Sequence, residues 1–281
     1  MIDLHTHLNL SNQYLTYNEV TIEDFINNYR IHRLNGSVTM INPSLRKLFC
    51  DCGGFVNFSS SDNQTLAVTC SSCNSILYRG RDPYHDDNVK LIDLTLPDDI
   101  KTYPFLCLSM TNATISSETD FFERHYKNSF CGWKFHPSLN NVCVEDINFN
   151  SKRPLIIHTS LREPARAIHA VNFAKKYSGN VLICHAASLD TDVIKGASCM
   201  DNVYFDICPI DVLMRKYGEE NVRQFVDLIP REKLVYGSDF PWGDMNFEIA
   251  FFKEHIRRLG ISEQQVENNT IRYLGIENDK C

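Results

Sequence analysis

Residues 155–185 read LIIHTSLREPARAIHAVNFAKKYSGNVLICH and contain one complete unit of the fold. Leu155, Ile156 and Ile157 form a short apolar run that ends on His158. Such a run suits a strand buried on both faces. An amphipathic stretch over 163–177 follows, with Ala167, Ile168, Val171 and Ala174 at helical spacing and Gly179 as a stop signal. Val181-Leu182-Ile183-Cys184 then repeats the apolar run and again ends on a histidine, His185. A strand, a helix and a second strand in this order make a parallel pair with a crossover helix.

The same rhythm predicts further strands over 2–7, 37–41, 105–110, 132–136, 203–208 and 234–239. A helix is expected after the cap residue Thr21, and two more close the chain over 247–259 and 262–274. Eight strands alternating with helices place the chain in the α/β class, as a (β/α)8 TIM barrel over 1–281. An open doubly wound sheet is the alternative, but no Gly-x-Gly-x-x-Gly follows the first strand.

Composition narrows the class of partner. A net charge of −7 argues against nucleic acid and against an anionic membrane surface, both of which call for a basic face. No apolar run approaches the ~20 residues of a membrane span. The N-terminus has no basic segment followed by an apolar one, which argues against a signal peptide. Eleven cysteines, an odd number and mostly scattered, suit a reducing compartment, so a cytoplasmic protein acting on a small molecule is expected.

One segment breaks the rhythm. About 60 residues separate the second strand from the third, where the connection needs far fewer. The pairs Cys50-Asp51-Cys52 and Cys70-Ser71-Ser72-Cys73 lie there, with Gly53-Gly54 after the first pair. Two short-spaced thiolate pairs are the pattern of a closed tetrahedral site, so 44–95 reads as an inserted zinc-ribbon-like segment holding one structural zinc. Free thiols or two local disulfides are the alternatives. The ribbon leaves the barrel on the face where active sites form, so it could act as a lid, replace the usual second helix or receive a protein partner.

The strand ends carry the chemistry. His5 and His7, two residues apart, project from one face of a strand and can begin a metal site. His158, His185 and Asp239 are each the first strongly polar side chain after an apolar run, which puts them at the C-terminal mouth of a barrel. Any one alone could be a cap or a hydrogen-bonded core residue. Together, on four different strands, they read as a ligand set. Asp206 at the end of its own strand is either a mouth residue or a cap. His32, His125, His169 and His255 fall on expected helices and are expected to be exposed, and Cys184 and Cys208 to be core.

This constellation resembles the amidohydrolase superfamily. Gly237-Ser238-Asp239-Phe240-Pro241-Trp242-Gly243 is similar to the strand-eight signature of its amidohydrolase-related (amidohydrolase 2) branch, and Gly132-Trp133-Lys134-Phe135-His136-Pro137 to that branch's strand-four motif. The likeness runs from residue 1 to about 275 and excludes the cysteine segment. It implies one or two divalent ions, zinc foremost. His5, His7 and Asp239 would bind the first. His158 and His185 would bind a second or contact substrate, and Lys134 would bridge two ions as a carbamate or stand as a cation beside substrate. It also implies hydrolysis of an amide, lactone or ester by metal-activated water, with Asp239 as general base. His136 and Arg162 are candidate substrate contacts, although Arg162, like Arg166, also suits a solvated helix face. Non-oxidative decarboxylation is the second enzymatic reading. A zinc-ribbon binding module on a silent barrel is the non-enzymatic one. A homo-oligomer is compatible with all three.

Overall fold

The computed structural model describes residues 1–8, 10, 20–41, 52, 56–62, 65–112 and 114–276. The strands are β1 (Ile2–Leu8), β2 (Gly36–Ile41), β3 (Val56–Asp62), β4 (Thr65–Cys70), β5 (Ile76–Gly80), β6 (Thr102–Cys107), β7 (Gly132–Phe135), β8 (Leu155–Ile157), β9 (Val181–Ile183) and β10 (Val203–Phe205). Seven of them form one parallel sheet in the order β1-β2-β6-β7-β8-β9-β10. Every residue of β1, β2, β7, β8, β9 and β10 is buried, as strands covered on both faces require.

The eighth position is filled without a regular strand. Residues 233–240 bond to one edge of the sheet through Phe205 N–Lys233 O (2.9 Å) and Val235 N–Phe205 O (3.0 Å). They bond to the other edge through Leu4 N–Tyr236 O (2.9 Å), Asp239 N–His5 O (2.8 Å) and His7 N–Phe240 O (2.7 Å). Only isolated bridges result, at Phe205–Leu234 and Thr6–Phe240. The expected strand 234–239 therefore closes the ring in an irregular form. Two local features explain the irregularity. The buried Asp3 carboxylate accepts the backbone N–H of both His5 and Ser238 at 3.0 Å, standing in for a ladder partner. Asp239 has φ +55°, which no extended strand tolerates.

The helices follow their local signals. Thr21 caps Ile22–Ile31 in a reciprocal box with Asp24, as its sequence position predicts. Asp244 caps Met245–Arg258 and Ser262 caps Glu263–Leu274. The helix expected over 163–177 is shorter, Ala167–Ala174, because residues 160–165 form a turn closed by Ser160 N–Ala165 O (2.8 Å) and Ala165 N–Arg162 O (3.0 Å). Pro164 also disfavours helical geometry at the residue before it.

The inserted segment contains a separate antiparallel sheet, β3-β4-β5. It does not replace the second helix. His85–Ile92 follows it and packs on the barrel, where Asn88 bonds the Cys107 carbonyl and N–H at 2.7 and 3.0 Å. One expectation about exposure fails: His255 is fully buried against Phe251, with burial lowering its pKa to about 4. His125 is exposed, and His32 and His169 are half-buried. Among the described residues, no helix is long and apolar enough to cross a membrane.

Candidate metal centre

His5 and His7 lie on β1 with their rings 5.2 Å apart, and Asp239 in the closing segment, bonded through its N–H to the His5 carbonyl, lies beside them. The three donor atoms converge. His5 Nε2 lies 3.3 Å from His7 Nε2 and 3.3 Å from Asp239 Oδ1, and His7 Nε2 lies 3.5 Å from the same oxygen. A tetrahedral shell with bonds of about 2.0–2.2 Å has edges of about 3.3–3.6 Å, so these residues fit a zinc-sized ion.

The partners of the outer nitrogens fix the tautomers. His7 Nδ1 donates to the Ile41 carbonyl (3.0 Å), and His5 Nδ1 donates to Asp206 Oδ2 (2.9 Å). Each ring therefore turns an unprotonated Nε2 toward the centre. Burial, and then the charge of Lys134, hold the His5 pKa well below its ordinary value, so the ring is a neutral donor. Burial alone would raise the Asp239 carboxyl. Electrostatic interaction with the His5 and His7 rings outweighs it and holds the group at about 2. Asp239 is thus ionised at any working pH.

Lys134, on β7 and 1% exposed, reaches the same point, with Nζ 3.1 Å from His5 Nε2. An ammonium here donates to the lone pair that a metal would use. His158 and His185 form a second group beside the first. His185 Nδ1 donates to the Cys208 carbonyl (2.7 Å), so its Nε2 accepts from His158 Nδ1 (2.8 Å). At that spacing the pair is hydrogen-bonded rather than opened around an ion. His158 in turn stacks on His136, with centroids 3.8 Å apart. Burial keeps both His136 and His158 below the ordinary imidazole value.

Both groups face one cavity of about 420 Å³, within the range of small-molecule sites. His7, His136, His158, His185 and Asp239 form its polar floor. Leu139, Leu161, Pro209, Val212, Leu213, Tyr217 and Trp242 wall it, with Lys216 at the rim. Arg162 is exposed and is not among the lining residues. The cysteines of the insertion lie apart in the ribbon, where Cys52, Cys70 and Cys73 cluster and Cys50 falls outside the described residues.

Of the two carboxylates that position the converging histidines, sequence reasoning left Asp206 open between a mouth residue and a cap and missed Asp3. Asp206 is fully buried and bonds both His5 Nδ1 and the backbone N–H of His185 (2.7 Å). Its position at the end of β10, level with the histidines, was the available signal. Asp3 gave none beyond its place two residues before His5. Burial raises its pKa to about 6.

No family model matches the sequence, and no curated protein matches it. Solved structures do match the fold. The 5-carboxyvanillate decarboxylase of Sphingomonas paucimobilis superposes with a TM-score of 0.60 at 10% identity, covering 98% of this chain and 99% of its own. A Staphylococcus aureus protein assigned as an amidohydrolase gives 0.59 at 11%, with 98% and 99% covered. An Acinetobacter baumannii protein assigned as a 2-pyrone-4,6-dicarboxylic acid hydrolase gives 0.55 at 14%, again with 98% and 99% covered. The chain therefore shares the fold of these solved structures along nearly its whole length.

Proposed function

We propose that the protein is a metal-dependent hydrolase that directs water onto an amide, lactone or ester carbonyl of a small molecule. The convergence of His5 Nε2, His7 Nε2 and Asp239 Oδ1 at 3.3–3.5 Å on the floor of the cavity carries this reading. A divalent ion held by these three residues, zinc foremost, would acidify a water molecule and polarise the carbonyl under attack.

The remaining work falls to the chain. Asp239, ionised throughout, would accept the proton of the attacking water and return it to the leaving group. The His185–His158 pair, kept neutral at His158 by burial, presents hydrogen-bonding groups to the substrate on the same floor. The apolar walls exclude competing water from a bound acyl group. Lys134 governs the number of ions. As an ammonium beside His5 it repels a cation. As a carbamate, formed when CO2 adds to the neutral amine with loss of a proton, it would offer a further oxygen ligand.

Metal-reconstituted protein assayed against lactones, esters and amides tests the proposal. On any substrate so found, Asp239→Asn is expected to lower kcat by about 10²-fold or more with the circular dichroism spectrum unchanged. Retention of most of the activity would overturn the role of Asp239. One observation favours non-oxidative decarboxylation as a second reading: the three-donor centre suits a single ion, while His158 and His185 stand 2.8 Å apart in a hydrogen bond. Adding aromatic and unsaturated acids to the panel, with CO2 release as readout, separates the two reactions.

A further inference from the structure

We propose that Cys52, Cys70 and Cys73 hold a structural zinc ion, separate from the barrel centre, that fastens the three-stranded ribbon to itself. Cys52 Sγ lies 3.3 Å from Cys70 Sγ and 3.6 Å from Cys73 Sγ, and all three sulfurs lie within 4.8 Å of one another. A disulfide needs about 2.05 Å, so these are not covalent pairs. Tetrahedral zinc with Zn–S bonds of about 2.3 Å spaces its sulfurs by about 3.7 Å, close to what the chain presents.

The turn between β4 and β5 is shaped for this. Cys70 N donates to the Ser75 carbonyl and Asn74 N to the Cys70 carbonyl, each at 2.9 Å. Asn74 takes the left-handed conformation at φ +59°, which folds Cys73 back toward Cys70. Ser72 N points at Cys70 Sγ at 3.4 Å, and N–H groups aimed at sulfur favour the thiolate that a metal requires. Soft thiolate donors select zinc over magnesium, calcium or manganese.

Size supplies an independent reason. Strands of 7, 6 and 5 residues make a sheet too small to stand on apolar burial alone, and units of that scale are commonly fastened by a metal or a disulfide. The site stands on the three described thiolates.

Metal analysis of the full chain, together with cobalt substitution, tests the assignment. One zinc per chain is expected to be lost in a Cys70→Ser/Cys73→Ser variant and kept in a His5→Ala/Asp239→Asn variant. Cobalt-loaded wild type is expected to show sulfur-to-cobalt charge-transfer bands that persist in the barrel variant. Unchanged metal content in the cysteine variant would overturn the site. So would absence of the bands in the wild type, a measurement that needs no variant to fold. Loss of the bands in the barrel variant would place the sulfur ligand at Cys208 beside His5 and overturn it equally. None of these outcomes depends on turnover, so the hydrolase reading stands or falls separately.

Discussion

Asp206 makes two bonds at once, one through each carboxylate oxygen. Its Oδ2 accepts from His5 Nδ1 and its Oδ1 accepts from the N–H of His185, so one buried carboxylate sets a ring tautomer and a backbone position together. Asparagine in its place keeps one acceptor and turns an NH2 toward the other donor. Asp206→Asn is therefore expected to weaken barrel metal affinity by about 10–100-fold, measured by competition with a chelator, while Asp239 remains in place. Unchanged affinity would mean that His5 is oriented by β1 alone. The convergence of His5, His7 and Asp239 was legible in the sequence, because several polar residues ending apolar runs on different strands meet at one mouth. Asp206 ends such a run too, but a strand-end aspartate that caps a helix and one that holds a histidine look alike until the strands are side by side. His255 misled for the opposite reason: its helix position suggests solvent, and only the packing of Phe251 and Arg258 around it removes the water.

At the scale of elements, short strands can be placed from sequence while their closeness cannot. β7 is four residues long and carries Lys134, and its register is held by Gly132. A Cβ on Gly132 would lie 2.3 Å from the Phe105 ring and 2.4 Å from the Pro154 carbonyl oxygen. The ring can turn, but the carbonyl is the one that receives Trp133 N, and it cannot move without breaking that bond. Gly132→Ala is expected to cost about 1–3 kcal/mol or more in urea denaturation. Gly196, in the helix Thr191–Ala197, has nothing within 4 Å of its would-be Cβ. There alanine is expected to stabilise by about 0.5–1 kcal/mol. Equal effects at the two sites would contradict this account of β7. The eighth strand shows the same limit. Its apolar run, 234–236, identified it, but the Asp3 carboxylate that interrupts its ladder comes from 231 residues or more away in the chain.

The whole molecule is a sheet buried on both faces, so charges inside it titrate far from their ordinary values, and stability must depend on pH. The architecture was legible because β and α patterns alternate along the chain. The protonation of buried groups was not, since it depends on what surrounds each of them. Glu248 is the clearest case. It is 2% exposed, its oxygens accept Ile210 N and Asp211 N at 2.9 and 3.1 Å, and burial raises its pKa to about 8. The folded protein therefore holds a proton between pH 4.5 and about 8 that the unfolded chain has released, and stability falls as pH rises through that window. The Asp3 and Asp82 carboxyls, raised by burial to about 6, act in the same direction at lower pH. The histidines lowered by burial, His5, His32, His136, His158 and His255, take up protons only in the unfolded chain, around pH 6.5, and oppose Glu248 until the pH passes about 7.5. His169 differs from them. Burial lowers it, but Glu145 and Glu163 raise it further, and a raised histidine also loses stabilisation as pH rises. From pH 7.5 to about 8 Glu248 is thus expected to lower the unfolding free energy of metal-free protein, by at most about 1.4 kcal/mol per pH unit for its proton. Glu248→Gln should lower the overall level, because glutamine keeps only one acceptor for the two N–H groups, yet make the decline shallower. A variant whose slope matched the wild type would show that Glu248 gives up its proton at its ordinary pH despite its burial.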